Sequence, residues 1–325
     1  MPACRILITG MAFCFVLIPF KDGFDVLAEC LESLLPQLTE GVEVVLVDDG
    51  SNPEAGGRPV LATFLEDARF HLLSHDINQG PAQARNTGLA WCGDAGAEIV
   101  ILLDSDCLAK QGFIDAHVRL HEAHPDRACI GGAIHGQGKG VWAALDALMS
   151  WFSSIPGTPA RTVNEPYHLP STNMSLKLRK WSGGDVFNPR LKTGEDVAFV
   201  KDLRARGETV FFSPEPEIIH RDRDSLGGFF RHQYRWGLHT YVVRFGEKHL
   251  SFWRRALFAL AFIPGFPVYV VLATWLNVAP WLKRSPVYLL YVPLLFLLYA
   301  VKGVAVFSGA VNPGQALYPK KPSAS

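Results

Sequence analysis

Apolar residues fall first into short, nearly continuous runs and later into two much longer ones. Phe13 to Pro19, Val42 to Val47 and Ile99 to Leu103 predict strands buried on both faces, since half-exposed strands alternate instead. Between them, Phe24 to Leu38 carries apolar residues at helical spacing. Leu61 to Asp67 and Pro81 to Ala90 also suit helices, and Phe70 to Ser74 a short strand. Strands alternating with helices at this spacing predict a parallel sheet covered by helices. Beyond Gly112 the alternation weakens. Ile114 to Ala123 and Trp142 to Phe152 read as helices, Cys129 to Ile134 as extended, and Thr209 to Phe212 as one more strand. The Pro, Gly and Thr content from Ser153 to Asn173 predicts a mobile loop.

Towards the carboxyl end the pattern changes. No charged residue occurs from Ala256 to Leu276, and Ser285 to Val301 is a second uncharged run closed by Lys302. The first is long enough to cross a bilayer core, and the second is so if Lys302 is tolerated near one end. Pro264, Pro267 and Pro293 predict kinks, which membrane helices bear better than soluble ones. The expected division is a catalytic domain over 1–250, a membrane-associated helical hairpin over 251–312 and a polar tail over 313–325. Interfacial helices that do not fully span are the alternative to two crossings. Basic pairs at Arg254-Arg255, Lys283-Arg284 and Lys320-Lys321 flank both runs, so positive charge does not orient the hairpin. The apolar start, Ile6 to Phe20, lacks a small-residue cleavage site and runs straight into IPFKDG, which argues against a signal peptide. The expected location is therefore the inner (cytoplasmic) membrane, with the catalytic domain in the cytoplasm. MAFCFVLIPF already contains a complete first strand, so Met11 competes with Met1 as the start.

Composition narrows the classes further. The formal net charge is zero over 325 residues, so no strong field argues for nucleic acid or another polyanion. The 6 cysteines form no CxxC pair and read as buried small residues in a reducing compartment.

Three acidic clusters follow or accompany the apolar runs: Asp48-Asp49, Asp104-Ser105-Asp106 and Glu195-Asp196. Carboxylates at strand ends sit at the mouth of an open α/β sheet, where such sheets bind ligands. Two of them one residue apart can hold a hard divalent cation, and free positions on that cation recruit phosphates. With no clustered thiolate or imidazole ligands, Mn²⁺ or Mg²⁺ fits best. Asn78, Gly80, Arg85 and Asn86 lie in NQGPAQARNTG, where glycine permits close backbone approach and a helix start with Arg85 could face a diphosphate or base, or be an ordinary helix entry with a solvated arginine. His117, His121 and His124 share a helix face and read as a solvated face or, less simply, a zinc site.

The segments VLIPFKD, VEVVLVDDGSNPE, NQGPAQARNTGLA, ILLDSDC, GGDVFNPRLKTGEDVAFVKDLRARG and IIHRDRDSLGGFFRHQYRWG together resemble family 2 glycosyltransferases. The resemblance runs from about Phe13 to Gly237. It implies a GT-A fold, a Rossmann-like and mostly parallel sheet flanked by helices, here followed by the two hydrophobic helices. It implies inverting, metal-dependent transfer of a sugar from a UDP- or GDP-linked nucleotide sugar to an acceptor hydroxyl, lipid-linked or on another cell-envelope glycan. By the same resemblance Asp49 contacts the nucleotide base, Pro19 and Asp48 border its pocket, Asp106 binds the metal, and Asp104 the ribose or a metal-bound water. Asp196, preceded by Glu195, would be the general base. His220 would complete the metal site. Gly183, Gly184, Arg235 and Trp236 would lie on the diphosphate and acceptor side. RHQYRWG departs from the (Q/R)xxRW signature, because His232 stands where Gln or Arg is expected, which puts a processive polysaccharide synthase in doubt. A non-catalytic membrane scaffold with the same fold is the other alternative.

Overall fold

The computed structural model describes residues 13–56, 58–181, 184–246 and 250–318. The choice between Met1 and Met11 and the Lys320-Lys321 pair lie outside these. Strands β1 (Cys14–Phe20), β2 (Val42–Asp48), β3 (Phe70–Ser74) and β4 (Ile99–Leu103) alternate with helices α1 (Phe24–Leu34), α2 (Arg58–Leu65) and α3 (Pro81–Asp94). They pair in parallel in the order β3-β2-β1-β4. The apolar runs are continuous because successive residues serve different cores. Val16, Ile18, Val44, Leu46 and Ile101 pack on α1 and α2, whereas Phe15, Leu17, Val45, Val47 and Val100 face α3, as the two-residue period of a strand requires. Gly88 of α3 lies where a Cβ would collide with Leu17, so α3 rests directly on β1.

The second half departs from the parallel expectation. After β5 (Cys107–Ala109) and α4 (Phe113–Ala123) come β6 (Cys129–Gln137), α5 (Gly140–Ser150), β7 (Arg161–Thr162), β8 (Asn173–Lys177), α6 (Glu195–Ala205) and β9 (Val210–Arg221). β8 runs antiparallel between β4 and β6, β9 pairs parallel with β6, and β5 and β7 add antiparallel to β9. The sheet is therefore mixed, parallel from β3 to β4 and largely antiparallel beyond β4. The stretch 153–173 is not a loose loop. Ser154, Ile155, Val163 and Leu169 are buried, and Arg161 lies over the Phe212 ring at 4.3 Å. His117 and His121 are neither solvated nor a zinc site. Each is buried against β8, at 2.9 Å from Asn173 Oδ1 and from Ser175 Oγ respectively, and burial lowers their pKa to about 4 and about 3.

Helices α7 (Leu226–Phe245), α8 (Phe252–Leu282) and α9 (Val292–Val311) complete the chain. Residues 252–282 and 286–311 are long and apolar enough to cross a membrane by length and composition. Only 6% of the first window is buried. Trp253, Leu257, Leu260 and Ile263 are exposed. The hairpin is nevertheless tied to the rest of the chain. Asn277 Nδ2 and Trp281 Nε1 donate to the Leu148 carbonyl of α5. α9 crosses α7 so closely that a Cβ at Gly309 would meet the Leu238 carbonyl and one at Gly237 the Lys302 carbonyl.

Candidate active site

Parallel register brings the carboxyl ends of β1 and β2 level, with Phe20 opposite Asp48. Just beyond this edge lies a cavity of about 740 Å³. It is bordered by Pro19, Asp49, Asn78, Arg85, Asp104, Asp106, Glu195, Asp196, His220, Arg235 and Trp236. Most of the residues expected from sequence thus converge. Among the described residues Asp48, Gly80, Asn86 and Gly184 do not line it. Asp48 turns away and accepts the Ser51 N–H at 2.8 Å, closing the turn after β2. Gly184 is exposed and off the cavity, and Gly183 lies outside the described residues.

Asp49 is committed to the backbone that follows β3. Its two oxygens accept the N–H groups of Gln79 and Gly80, each at 2.8 Å, and His75 Nδ1 lies 2.8 Å from Oδ1. These contacts fix the Asn78–Gly80 wall at one end of the cavity. Gly80 has φ +90°, and a Cβ there would sit 2.8 Å from the Tyr318 ring. Tyr318 arrives from the segment after α9, anchored by the Leu191–Leu317 bridge and by its own N–H donating to the Arg190 carbonyl at 2.8 Å. Nothing in the sequence around Tyr318 announced this return.

Arg85 is buried, and it ties two clusters together instead of pointing to open space. Its Nη1 donates to Glu195 Oε1 and its Nη2 to Asp104 Oδ1, both at 2.6 Å. Thr172 Oγ1 donates to the other Asp104 oxygen at 2.7 Å. Burial pushes the Asp104 carboxyl up, but Arg85 and Thr172 outweigh it and hold it below the usual carboxylate range. Asn86 next door serves the fold, bonding the backbone of Val186 and Phe187 and so seating the approach to α6.

Asp106 is the more open aspartate of its pair, with 42% side-chain exposure, and its Oδ2 lies 3.5 Å from His220 Nε2. His220 Nδ1 is engaged by Asp222 Oδ1 at 3.1 Å, which also accepts from Trp151 Nε1 at 2.8 Å. A carboxylate on one ring nitrogen leaves the other aimed at the cavity, the arrangement that prepares histidine as a metal ligand. Asp106, Cys107 and His220 bring their ligand atoms within 4.8 Å of one another. Burial holds the Cys107 thiol well above its ordinary pKa, so the oxygen and imidazole donors remain for a hard cation. Asp104, expected at the metal through the ribose or a bound water, has both oxygens bonded to Arg85 and Thr172. Asp222→Asn should lower Mn²⁺ affinity about 10- to 100-fold, read from the Mn²⁺ dependence of donor binding. Unchanged affinity would remove His220 from the metal site.

Glu195 and Asp196 open α6 behind Gly194, whose φ of +76° turns the chain into the helix. Both are buried, and they are not equivalent. Glu195 is neutralised by Arg85. Among the described residues Asp196 accepts only backbone N–H groups, from Val197 at 2.7 Å and Ser171 at 3.4 Å. Burial, with the Glu195 charge adding, raises its pKa to about 7. Across the cavity Arg235 is exposed and has no ion pair among the described residues, and Trp236 lies beside Gly194.

The sequence model described as Glycosyl transferase family 2 matches residues 15–181. The Pre-mycofactocin glycosyltransferase of Mycobacterium tuberculosis is 27% identical over 217 residues, covering 65% of this chain and 43% of that protein. Glycosyltransferase GlyG of Streptococcus pneumoniae is 33% identical over 100 residues, 31% of this chain and 32% of GlyG. Glucosyl-dolichyl phosphate glucuronosyltransferase of Haloferax volcanii is 29% identical over 113 residues, 35% of this chain and 34% of its own length. The chain thus spans less than half the length of these relatives. Mannosyltransferase PcManGT from Pyrobaculum calidifontis, solved with GDP-Man and Mn²⁺, superposes with TM-score 0.55 at 18% identity, over 93% of this chain and 87% of that one. S. aureus TarS 1-349 with UDP gives TM-score 0.51 at 18% identity, over 94% and 93% of the two chains. Identities this low show the fold alone, and that fold is the GT-A arrangement of a mixed sheet with flanking helices. The matched span takes in both aspartate-bearing strand ends at the cavity rim, and the chain belongs to glycosyl transferase family 2.

Proposed function

We propose that this protein transfers a sugar, with inversion, from a nucleotide sugar to the hydroxyl of an acceptor held at a membrane. The observation that carries this reading is the single cavity in which an open carboxylate–histidine pair and a separate, backbone-held aspartate face common space. Pro19, Asp49 and Asn78 line the donor end. Asp106 and His220 would hold Mn²⁺ or Mg²⁺, which when bound neutralises charge on the leaving diphosphate. The PcManGT complex, with GDP-Man and Mn²⁺, supports a metal-bound donor. Asp196, with its carboxyl poised near neutrality, takes the proton of the acceptor hydroxyl as that oxygen attacks the anomeric carbon. Attack from the face opposite the diphosphate inverts the configuration and needs no enzyme nucleophile. The Arg85 ion pair fixes Glu195, so α6 presents Asp196 in one orientation.

Two apolar helices against the cavity support a membrane-held acceptor, lipid-linked or part of an envelope glycan. The Haloferax volcanii relative, named for a glucosyl-dolichyl phosphate, supports the lipid-linked form. The catalytic part, on this reading, works at the cytoplasmic face of the inner membrane. Calorimetry of the full chain in detergent with UDP- and GDP-sugars tests the proposal. One donor class should bind only when Mn²⁺ is present, and Asp106→Ala should abolish that binding. Absence of metal-dependent donor binding would leave a scaffold and refute the proposal.

A further inference from the structure

We infer that Lys302, with Gln233 and Arg244, forms an oxyanion subsite that holds an acidic group of the acceptor. The inference rests on reading the cavity as a glycosyl-transfer centre and extends it to the chemistry of the acceptor.

Lys302 sits within the apolar helix α9, flanked by Val301 and Gly303. A cation in such a helix is costly and marks function unless it reaches the polar interface. Lys302 does neither of the usual things. It does not extend outward, and among the described residues no carboxylate pairs with it. Its Nζ donates to Gln233 Oε1 at 3.2 Å and lies 5.9 Å from the Trp236 ring and 5.7 Å from the Tyr299 ring. Close packing holds it in this direction. A Cβ on Gly303 would meet Phe266 at 2.7 Å and Tyr269 at 2.9 Å, and one on Gly237 would meet the Lys302 carbonyl at 2.8 Å. The ammonium therefore faces the cavity that Asp196 and Trp236 also line.

Arg244 lines the same cavity and is only loosely balanced, with Glu165 at 3.6 Å and the Pro166 carbonyl at 3.2 Å. Two cations and a buried amide thus line the same cavity as Asp196. Beside them the wall turns apolar, through Ala273, Leu276 and Tyr299 of the hairpin. An oxyanion joined to an apolar chain, such as an isoprenyl phosphate, matches both parts. A sugar carboxylate would satisfy the cations alone.

The test uses the full chain in detergent with Mn²⁺ and the nucleotide diphosphate that binds. Affinities are measured for geranyl phosphate against geraniol, and for methyl glucuronoside against methyl glucoside. The phosphate should bind at least about tenfold better than its neutral partner, and Lys302→Gln should remove about that factor. Lys302→Arg should keep the preference, which also shows that the fold survives. A preference confined to the glucuronoside, lost in Lys302→Gln, supports the subsite with a sugar carboxylate as ligand. Equal binding of acidic and neutral probes, or an unchanged preference in Lys302→Gln, overturns the inference. If metal-dependent nucleotide binding persists in that case, only the subsite fails, and if it is absent the transfer reading fails with it.

Discussion

Asp196→Asn lowers the transfer rate by about 10²- to 10⁴-fold, the usual contribution of a general base. Donor binding with Mn²⁺ stays, because among the described residues Asp196 accepts hydrogen bonds only from the backbone of Val197 and Ser171. Thermal stability is unchanged or rises, since a buried carboxylate next to Glu195 is replaced by a neutral amide of the same shape. The wild-type pH profile carries the same signature. Asp196 must be ionised to accept a proton, and its pKa is pushed up to about 7. kcat/KM therefore climbs tenfold per pH unit below about 7 and levels above it. Normal turnover of Asp196→Asn, or a profile flat from pH 5 to 8, would remove Asp196 from the role of base.

The largest effect on stability is expected at Arg85. Its guanidinium is the shared partner of Glu195 and Asp104, at 2.6 Å each. Removing one member of a buried ionic network strands the others, typically at a cost of about 3–5 kcal/mol. Arg85→Met should lose about that much at pH 8. The stranded carboxyls would have folded-state pKa values above their unfolded ones, so they favour unfolding at high pH and cease to do so once protonated. The deficit should therefore shrink on acidification towards pH 5, as urea unfolding at the two pH values would show. A loss below about 1 kcal/mol at pH 8 would mean that solvent, not Arg85, balances these acids.

The strands that sequence made plain are those with both faces in a core. β1, β2 and β4 are apolar at nearly every position because alternate residues enter different hydrophobic clusters. β8 escaped notice for the opposite reason. Asn173, Ser175 and Lys177 make it look like a polar turn, yet all three are buried and satisfied by α4, the Ala133 and Pro216 carbonyls, or the chain near Pro125. β9 extends nine residues past Phe212, to Arg221, through Pro214 and Pro216, helped by a register shift in β6 between Gly131 and Ala133. In the site, acidic residues at strand ends were legible because the chain itself places them there. Asp222 was within reach, two residues after His220 and just past the end of β9. Thr172, Lys302 and Tyr318 were not, because contacts across distant elements bring them to the cavity and no local pattern encodes that.

The bare crossing of α9 over α7 at Gly237 and Gly309 has a mechanical consequence. With no layer of side chains between the two backbones, the helix bearing Arg235 and Trp236 cannot shift unless the apolar hairpin shifts too. If the hairpin enters a bilayer, as proposed, leaflet thickness and curvature thereby set how the far wall is presented to Asp196.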